Sequence, residues 1–209
     1  ATASWETWAT SPALNTVALT AGTYQLTVTI NQGWWRFNYL QFTFLTNTPP
    51  VNPPTPPPVV APVAAPVTTP VAAPVSPSVV TALPGVLQVE NYRVGGQGVA
   101  YYDTTPGNAG GALRNDDVDL QSINGEFAIG YIESGEWLTY QVTINTAGTY
   151  RVQARYAYPP GTPVTTNRQL RLFVDNSATP FVTLSLPPTG GTYSSITPLF
   201  TLPTCTNTI

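Results

Sequence analysis

The sequence predicts an all-β protein of the sandwich type, interrupted by a connector in the polyproline II conformation. Two observations carry that prediction. Apolar and polar residues alternate with a period of two through several short runs, and no stretch shows a helical period. Between those runs, Pro-Val recurs at 62–63, 66–67, 70–71 and 74–75, a strict four-residue repeat.

In the first segment, residues 1–46, Tyr24, Leu26, Val28 and Ile30 alternate with Gln25, Thr27 and Thr29, which predicts a half-buried strand. Thr20-Ala21-Gly22-Thr23 ahead of it supplies a turn. Phe37, Tyr39, Gln41 and Thr43 alternate with Asn38, Leu40, Phe42 and Phe44, predicting a second strand. A segment of this size with about three strands is too small for a sandwich of its own, so it requires a partner sheet.

The connector, residues 47–84, is dominated by Pro, Val, Ala and Thr. Proline at this density excludes helix and sheet interior, leaving an extended rod at about 3.1 Å per residue and a reach on the order of 110 Å. Two readings stand side by side: an ordinary interdomain linker, or a structural repeat coated by O-glycans on Thr, Ser or hydroxylated Pro. No Asn-x-Ser/Thr sequon occurs, so N-glycosylation is not expected.

From residue 85 to residue 209 the pattern is again all-β. Val142 and Ile144 alternate with polar neighbours, Thr146-Ala147-Gly148-Thr149 forms a turn, and Tyr150, Val152, Ala154 and Tyr156 follow in alternation. Leu170, Leu172 and Val174 repeat the pattern before an Asp175-Asn176 turn. Short strands at regular spacing favour a sandwich. Residues 2–30 and 189–209 share a weak likeness, an aromatic after a small-residue turn and then a Thr-rich strand. On that likeness the chain is expected to open inside one module and stop inside a second.

Composition removes several functions. Lys+Arg number 7 against 10 Asp+Glu, and a net charge of −3 supplies no basic field for nucleic acid or an anionic membrane surface. No run of about 18 apolar residues predicts a membrane span. The opening residues carry no Met, basic n-region or apolar h-region, as expected of a processed or excerpted chain. Cys205 is the single cysteine, which excludes an internal disulfide; it reads as a small strand residue or as a thiol pairing with another chain. With no histidine, Ser-His-Asp and Cys-His catalysis and imidazole zinc sites are excluded. A glycosidase needs two opposed carboxylates. Asp116, Asp117 and Asp119 are the densest acidic group, with Asp117 and Asp119 expected on one strand face, but no catalytic residue is assigned.

A family resemblance rests on several motifs in order. These are Leu87-Gln88-Val89-Glu90-Asn91-Tyr92, Gly110-Gly111-Ala112-Leu113-Arg114-Asn115-Asp116-Asp117-Val118-Asp119-Leu120, and Ile129-Gly130-Tyr131-Ile132 with Gly135-Glu136-Trp137-Leu138-Thr139-Tyr140. Ala147-Gly148-Thr149-Tyr150 and Thr189-Gly190-Gly191 follow. Residues 85–209 thereby resemble the first and middle parts of a carbohydrate-binding module of family six. Residues 1–46 resemble the end of such a module, through Trp5-Glu6-Thr7-Trp8, Leu19-Thr20-Ala21-Gly22-Thr23-Tyr24 and Phe37-Asn38-Tyr39-Leu40-Gln41-Phe42.

The resemblance implies a jelly-roll β-sandwich, a structural calcium ion and sugar-binding clefts. Its calcium ligands match Gln88, Glu90 and Asn38, oxygen donors of the kind calcium takes. Its stacking aromatic matches Trp5 in the first segment and Tyr193 in the second, where a flat ring desolvates the apolar face of a pyranose. Arg36 replaces a polar Asn of the family and lies beside Trp34 and Trp35, of which at most one points inward. Trp34, Trp35 and Arg36 complete the candidate sugar site. Trp137 and Tyr140 are expected in the core.

Two functions follow, both non-catalytic in these residues and both extracellular or at a cell surface. In one, the chain is a structural block that joins copies of itself head to tail into a fibre, residues 31–46 completing a neighbour's sandwich by strand addition. In the other, it is a carbohydrate-binding region appended to a polysaccharide-degrading enzyme, with a polysaccharide or other glycan as its partner.

Overall fold

The computed structural model describes residues 8–11, 16–47, 79–159 and 168–189. Trp5, Tyr193, Cys205 and most of the Pro-Val connector lie outside them. The described residues form strands β1 (Ala9–Thr10), β2 (Thr16–Leu19), β3 (Gly22–Ile30), β4 (Arg36–Thr46), β5 (Val80–Leu83) and β6 (Gly85–Gln88). After a 3-10 turn at Val89–Asn91 come β7 (Tyr101–Tyr102), β8 (Leu120–Ile123), β9 (Glu126–Ile129), β10 (Trp137–Ile144), β11 (Gly148–Ala157), β12 (Arg168–Val174) and β13 (Val182–Leu186). The fold is all-β, as the alternation predicts.

Two sheets face one another across a single apolar core. One runs β1-β11-β4-β9-β8, with β2 also on β11 and β6 also on β4; the other runs β13-β12-β3-β10-β5, with β7 also on β10. The period of two decides what enters the core. Leu26, Val28 and Ile30 of β3, Tyr150, Val152, Ala154 and Tyr156 of β11, and Leu170 and Leu172 of β12 are all buried. Each fully buried Leu or Ile contributes about 1.5–3 kcal/mol of transfer free energy.

The strands of the first segment sit at the centre of both sheets. β3 lies between β10, in register from Trp137↔Thr29 to Ile144↔Gly22, and β12, from Leu170↔Ile30 to Val174↔Leu26. β4 pairs with β11 on one side and with β6 and β9 on the other. Residues 16–46 and residues 80–186 therefore build the same two sheets within one chain. The partner sheet that the short first segment requires is supplied by its own chain.

One irregularity bears on function. A register shift in the β4–β11 ladder between Arg155 and Tyr156 lets Phe37 and Asn38, neighbours in sequence, both turn away from solvent. Strict alternation from Phe37 to Phe44 is broken there.

Trp137 departs from the expected core position. Leu138, Tyr140, Val142 and Ile144 are the inward residues of β10, so Trp137 has the opposite parity and faces outward. It is half-buried in a groove across the outer face of the second sheet, with Thr27, Thr29, Val99 and Phe173. Tyr140 is buried, as expected.

Candidate functional site

Three loops meet at one end of the sandwich: residues 31–35 between β3 and β4, residues 130–136 between β9 and β10, and residues 103–119 between β7 and β8. They enclose a cleft of about 510 Å³, lined among others by Trp34, Arg36, Thr105, Asp119, Gln121 and Tyr131. That volume falls within the roughly 300–1,000 Å³ usual for small-ligand sites.

The tryptophan pair shapes the first wall. Trp35 is 1 % exposed; its indole N–H donates to the Gln32 carbonyl at 2.7 Å and its ring meets Tyr156 edge-on at 6.4 Å. Trp34, its neighbour, is 69 % exposed and held at φ 67°. Its backbone N–H donates to the Ile132 carbonyl at 2.8 Å, which ties the first wall to the second. Behind it Arg168 donates through Nε to the Gly33 carbonyl at 2.5 Å. Gly33 is required by close approach, since a Cβ there would overlap the Ile132 carbonyl and the Glu133 backbone.

On the second wall Tyr131 is 60 % exposed and also adopts a left-handed backbone, at φ 47°. Bulky aromatics rarely take that conformation, and such strain collects at functional positions. Two exposed rings are thus held at the same cleft by loops cross-linked to each other. Sequence reasoning assigned Trp34 to the site but missed Tyr131, which entered only as part of a family motif.

The third wall is held by carboxylates. Glu136, 5 % exposed, accepts from the Thr104 N–H at 3.2 Å and hydroxyl at 2.8 Å through one oxygen, and from the Glu133 N–H at 2.9 Å through the other. It therefore staples the second wall to the third. Asp103 accepts from the Thr105 N–H at 2.9 Å, Asp117 from the Gly107 N–H at 2.8 Å, and Asp119 from the Ala109 N–H at 2.5 Å. Burial pushes the Asp103, Asp119 and Glu136 carboxyls above their ordinary range, partly opposed by these hydrogen bonds. Asp117 and Asp119 precede β8 and lie in the loop rather than on one strand face, because their carboxylates are spent capping backbone N–H groups.

Arg36 opens β4 and lines the cleft half-buried; desolvation lowers its pKa from the ordinary value, and the nearby Tyr131 hydroxyl opposes the shift. Gln121 also lines the cleft, and its Oε1 is a buried acceptor with no hydrogen-bond partner. Flat aromatic surface beside a few polar groups is an arrangement that can stack a sugar ring and bind its hydroxyls. Trp34, Trp35 and Arg36 are brought together here.

Of the other predicted set, Gln88 pairs with Tyr39 across the β6–β4 ladder, beside Asn38, and Glu90 follows in the 3-10 turn. Asn38 uses both ends of its amide: Nδ2 donates to the Phe127 carbonyl at 2.7 Å, and Oδ1 accepts from Arg155 Nη1 at 2.7 Å. Arg155 also pairs with Glu126 at 2.5 Å and lies over the Trp8 ring at 5.0 Å. Burial raises the Glu90 carboxyl pKa; burial and then the Glu90 charge raise that of Tyr140, and Glu90 Oε2 is buried without a partner. Glu90 alone would suit an oxygen-seeking cation. Asn38 Oδ1 is already bound to a guanidinium, so within the predicted calcium set Glu90 Oε2 is the buried oxygen left without a partner. Among the described residues no group of three or more His, Cys, Asp or Glu side chains is placed to hold a metal.

Fold and cleft together define a β-sandwich binding module. Residues 114–207 match the family profile described as Carbohydrate binding module (family 35), so the chain contains a carbohydrate-binding module domain. The motif resemblance is to family six and the profile match is to family 35; they agree at the level of the carbohydrate-binding module. Neither the curated proteins nor the solved structures include a match to this chain. No helix among the described residues is long and apolar enough to cross a membrane.

Proposed function

We propose that this chain is a non-catalytic saccharide-binding region that holds its ligand in the cleft between Trp34 and Tyr131. The observation that carries the reading is the pair of exposed rings held at left-handed backbone positions by loops bonded to each other. Stacking of pyranose faces on these rings supplies affinity, and Arg36, Asp119 and Gln121 supply directional contacts to hydroxyls. The outward groove of Trp137 and Phe173 offers a second apolar platform for the same ligand chemistry. In this reading the chain is extracellular and targets a polysaccharide, as a region appended to a polysaccharide-degrading enzyme would.

The test is affinity electrophoresis of the full chain in gels containing soluble neutral or acidic polysaccharides, run beside Trp34→Ala and Tyr131→Ala. Retardation of the wild type by at least one polysaccharide, lost in both variants, is the expected outcome. Retardation that both variants keep would move the site elsewhere, and absence of retardation across the panel would sink the sugar-binding reading.

A further inference from the structure

The connectivity of the two sheets allows something that a sandwich with local strand order does not. β3 and β4 form one unit, joined by residues 31–35, and they occupy the middle of both sheets. Remove them, and what remains of each sheet falls into pieces. β10 and β12 both pair with β3 and have no ladder with each other; β11 and the β6, β9, β8 group meet only through β4. Residues 80–186 therefore carry a slot in each sheet that only this unit fills.

Upstream, Thr20 and Ala21 join β3 to β2, and β2 and β1 both pair with β11, so β1 and β2 travel with the unit. The unit's covalent tie to its slot is then the segment 47–79 between Thr46 at the end of β4 and Val80 at the start of β5. Stretched out, a segment of that length reaches on the order of 100 Å. It is long enough to place the β3–β4 unit in another molecule.

We propose that the β3–β4 unit exchanges between copies of this chain, each copy's unit filling the slot of the other. The occupant is a second copy because the slot is specific. It takes eight consecutive ladder partners on β10, from Gly22 to Thr29, and side chains that complete the core, among them Leu26, Val28, Leu40 and Phe42. Exchange breaks no native contact in the final state. Every ladder hydrogen bond, the Asn38–Arg155 bond and the Trp34–Ile132 bond form between chains as they do within one.

The two states differ mainly in chain entropy, so concentration selects between them. Closure within one chain is intramolecular and independent of concentration, whereas exchange requires two chains to meet. Folding from dilute solution closes the chain on itself, while crowded folding favours exchange. Because β3 and β4 are central, the exchange requires opening of the core, and a closed molecule does not exchange while it stays folded. The saccharide cleft becomes a joint product of two chains in the exchanged form, since Trp34 and Arg36 travel with the unit while Tyr131 and Asp119 stay behind.

The experiment uses the full chain in two labelled populations, both carrying Cys205→Ser. One bears a donor dye at Gln41→Cys, on the exposed face of β4; the other bears an acceptor at Ser185→Cys, exposed on β13. The populations are mixed, unfolded in denaturant and refolded together at rising protein concentration, with energy transfer and mass by light scattering as readouts. Transfer between chains is expected in a species of at least twice the monomer mass. Its ratio to monomer should rise about tenfold per tenfold concentration while it is scarce. Refolding that yields only monomers without transfer at every concentration overturns the proposal. So does equal transfer on mixing the folded populations without denaturant, which would show association of finished surfaces instead of exchange.

Discussion

The backbone N–H of Trp34 donates to the carbonyl of Ile132 at 2.8 Å, so two loops far apart in sequence present Trp34 and Tyr131 at the same cleft. Neither ring is held there by burial: both are more than half exposed, and both sit on left-handed backbone. Both positions carry backbone strain that burial does not offset, the pattern found at functional positions.

Replacing Trp34 by glycine should therefore separate stability from binding. A left-handed non-glycine residue costs about 1–2 kcal/mol, and glycine's extra unfolded-state entropy returns roughly half of that. Trp34→Gly is expected to leave urea stability unchanged or raise it by up to about 1 kcal/mol. Polysaccharide affinity should fall on the order of tenfold, the scale of one lost aromatic contact. A variant that unfolds earlier than the wild type would show that the ring is there for packing.

Glu136 should behave as a structural staple. Truncation to alanine removes the acceptor for Thr104 and Glu133 and leaves their donors near a buried void. The cost is expected at about 2–4 kcal/mol, with affinity lost alongside as two walls of the cleft separate. Glu136→Gln retains an acceptor and should recover part of both, as read by thermal melting and gel retardation.

At Gly33 the demand is for space. Gly33→Ala places a methyl into the Ile132 carbonyl and the Glu133 backbone, so the 31–35 loop must withdraw. Weaker sugar retention is expected, with loss of the indole environment of Trp35 seen in near-ultraviolet circular dichroism.

The pH dependence should run opposite to common acid denaturation. Burial raises the pKa of Glu90, Asp103, Asp119 and Glu136 above the ordinary carboxyl range of about 4. The folded state thus binds these protons more tightly than the unfolded chain. The resulting stability is fully present below the ordinary range and is lost as pH rises through the raised values. Urea midpoints are expected to be higher near pH 5 than near pH 8, and Asp103→Asn should flatten the difference. A midpoint that climbs with pH over that window would contradict it.

Calcium is expected to leave the wild-type melting temperature unchanged, whether added in excess or removed by chelator, because Arg155 already satisfies Asn38. Arg155→Ala should lower stability by about 1–3 kcal/mol through the stranded amide and the lost Glu126 pair. A wild-type melting temperature that falls on chelation would restore calcium to this site.

Much of the fold was legible because the signal was local. Alternation over 24–30 and 150–156 names the inward residues of β3 and β11, and adjacency alone requires that Trp34 and Trp35 diverge. Where size was set against parity, parity won: Trp137 is large enough for a core but shares no face with Leu138 and Tyr140. Asn38 looked like a free oxygen donor because its partner, Arg155, lies on β11, across a ladder that no local pattern encodes. Tyr131 was visible only as a member of a family motif and not as a site residue, since a loop aromatic has no period, and its left-handed backbone is imposed by the loop that carries it.

The sequence by itself determined the strand type, the inward faces, the absence of histidine chemistry and the place of the Pro-Val segment, all properties of neighbouring residues. Tertiary structure decided that β3 and β4 enter the sheets of their own chain, and that Trp34, Tyr131, Arg36 and Asp119 share one cleft. The reason is physical: ladder hydrogen bonds join backbone groups that are the same in almost every residue. Which strands pair is therefore settled by how all the apolar faces can be buried at once.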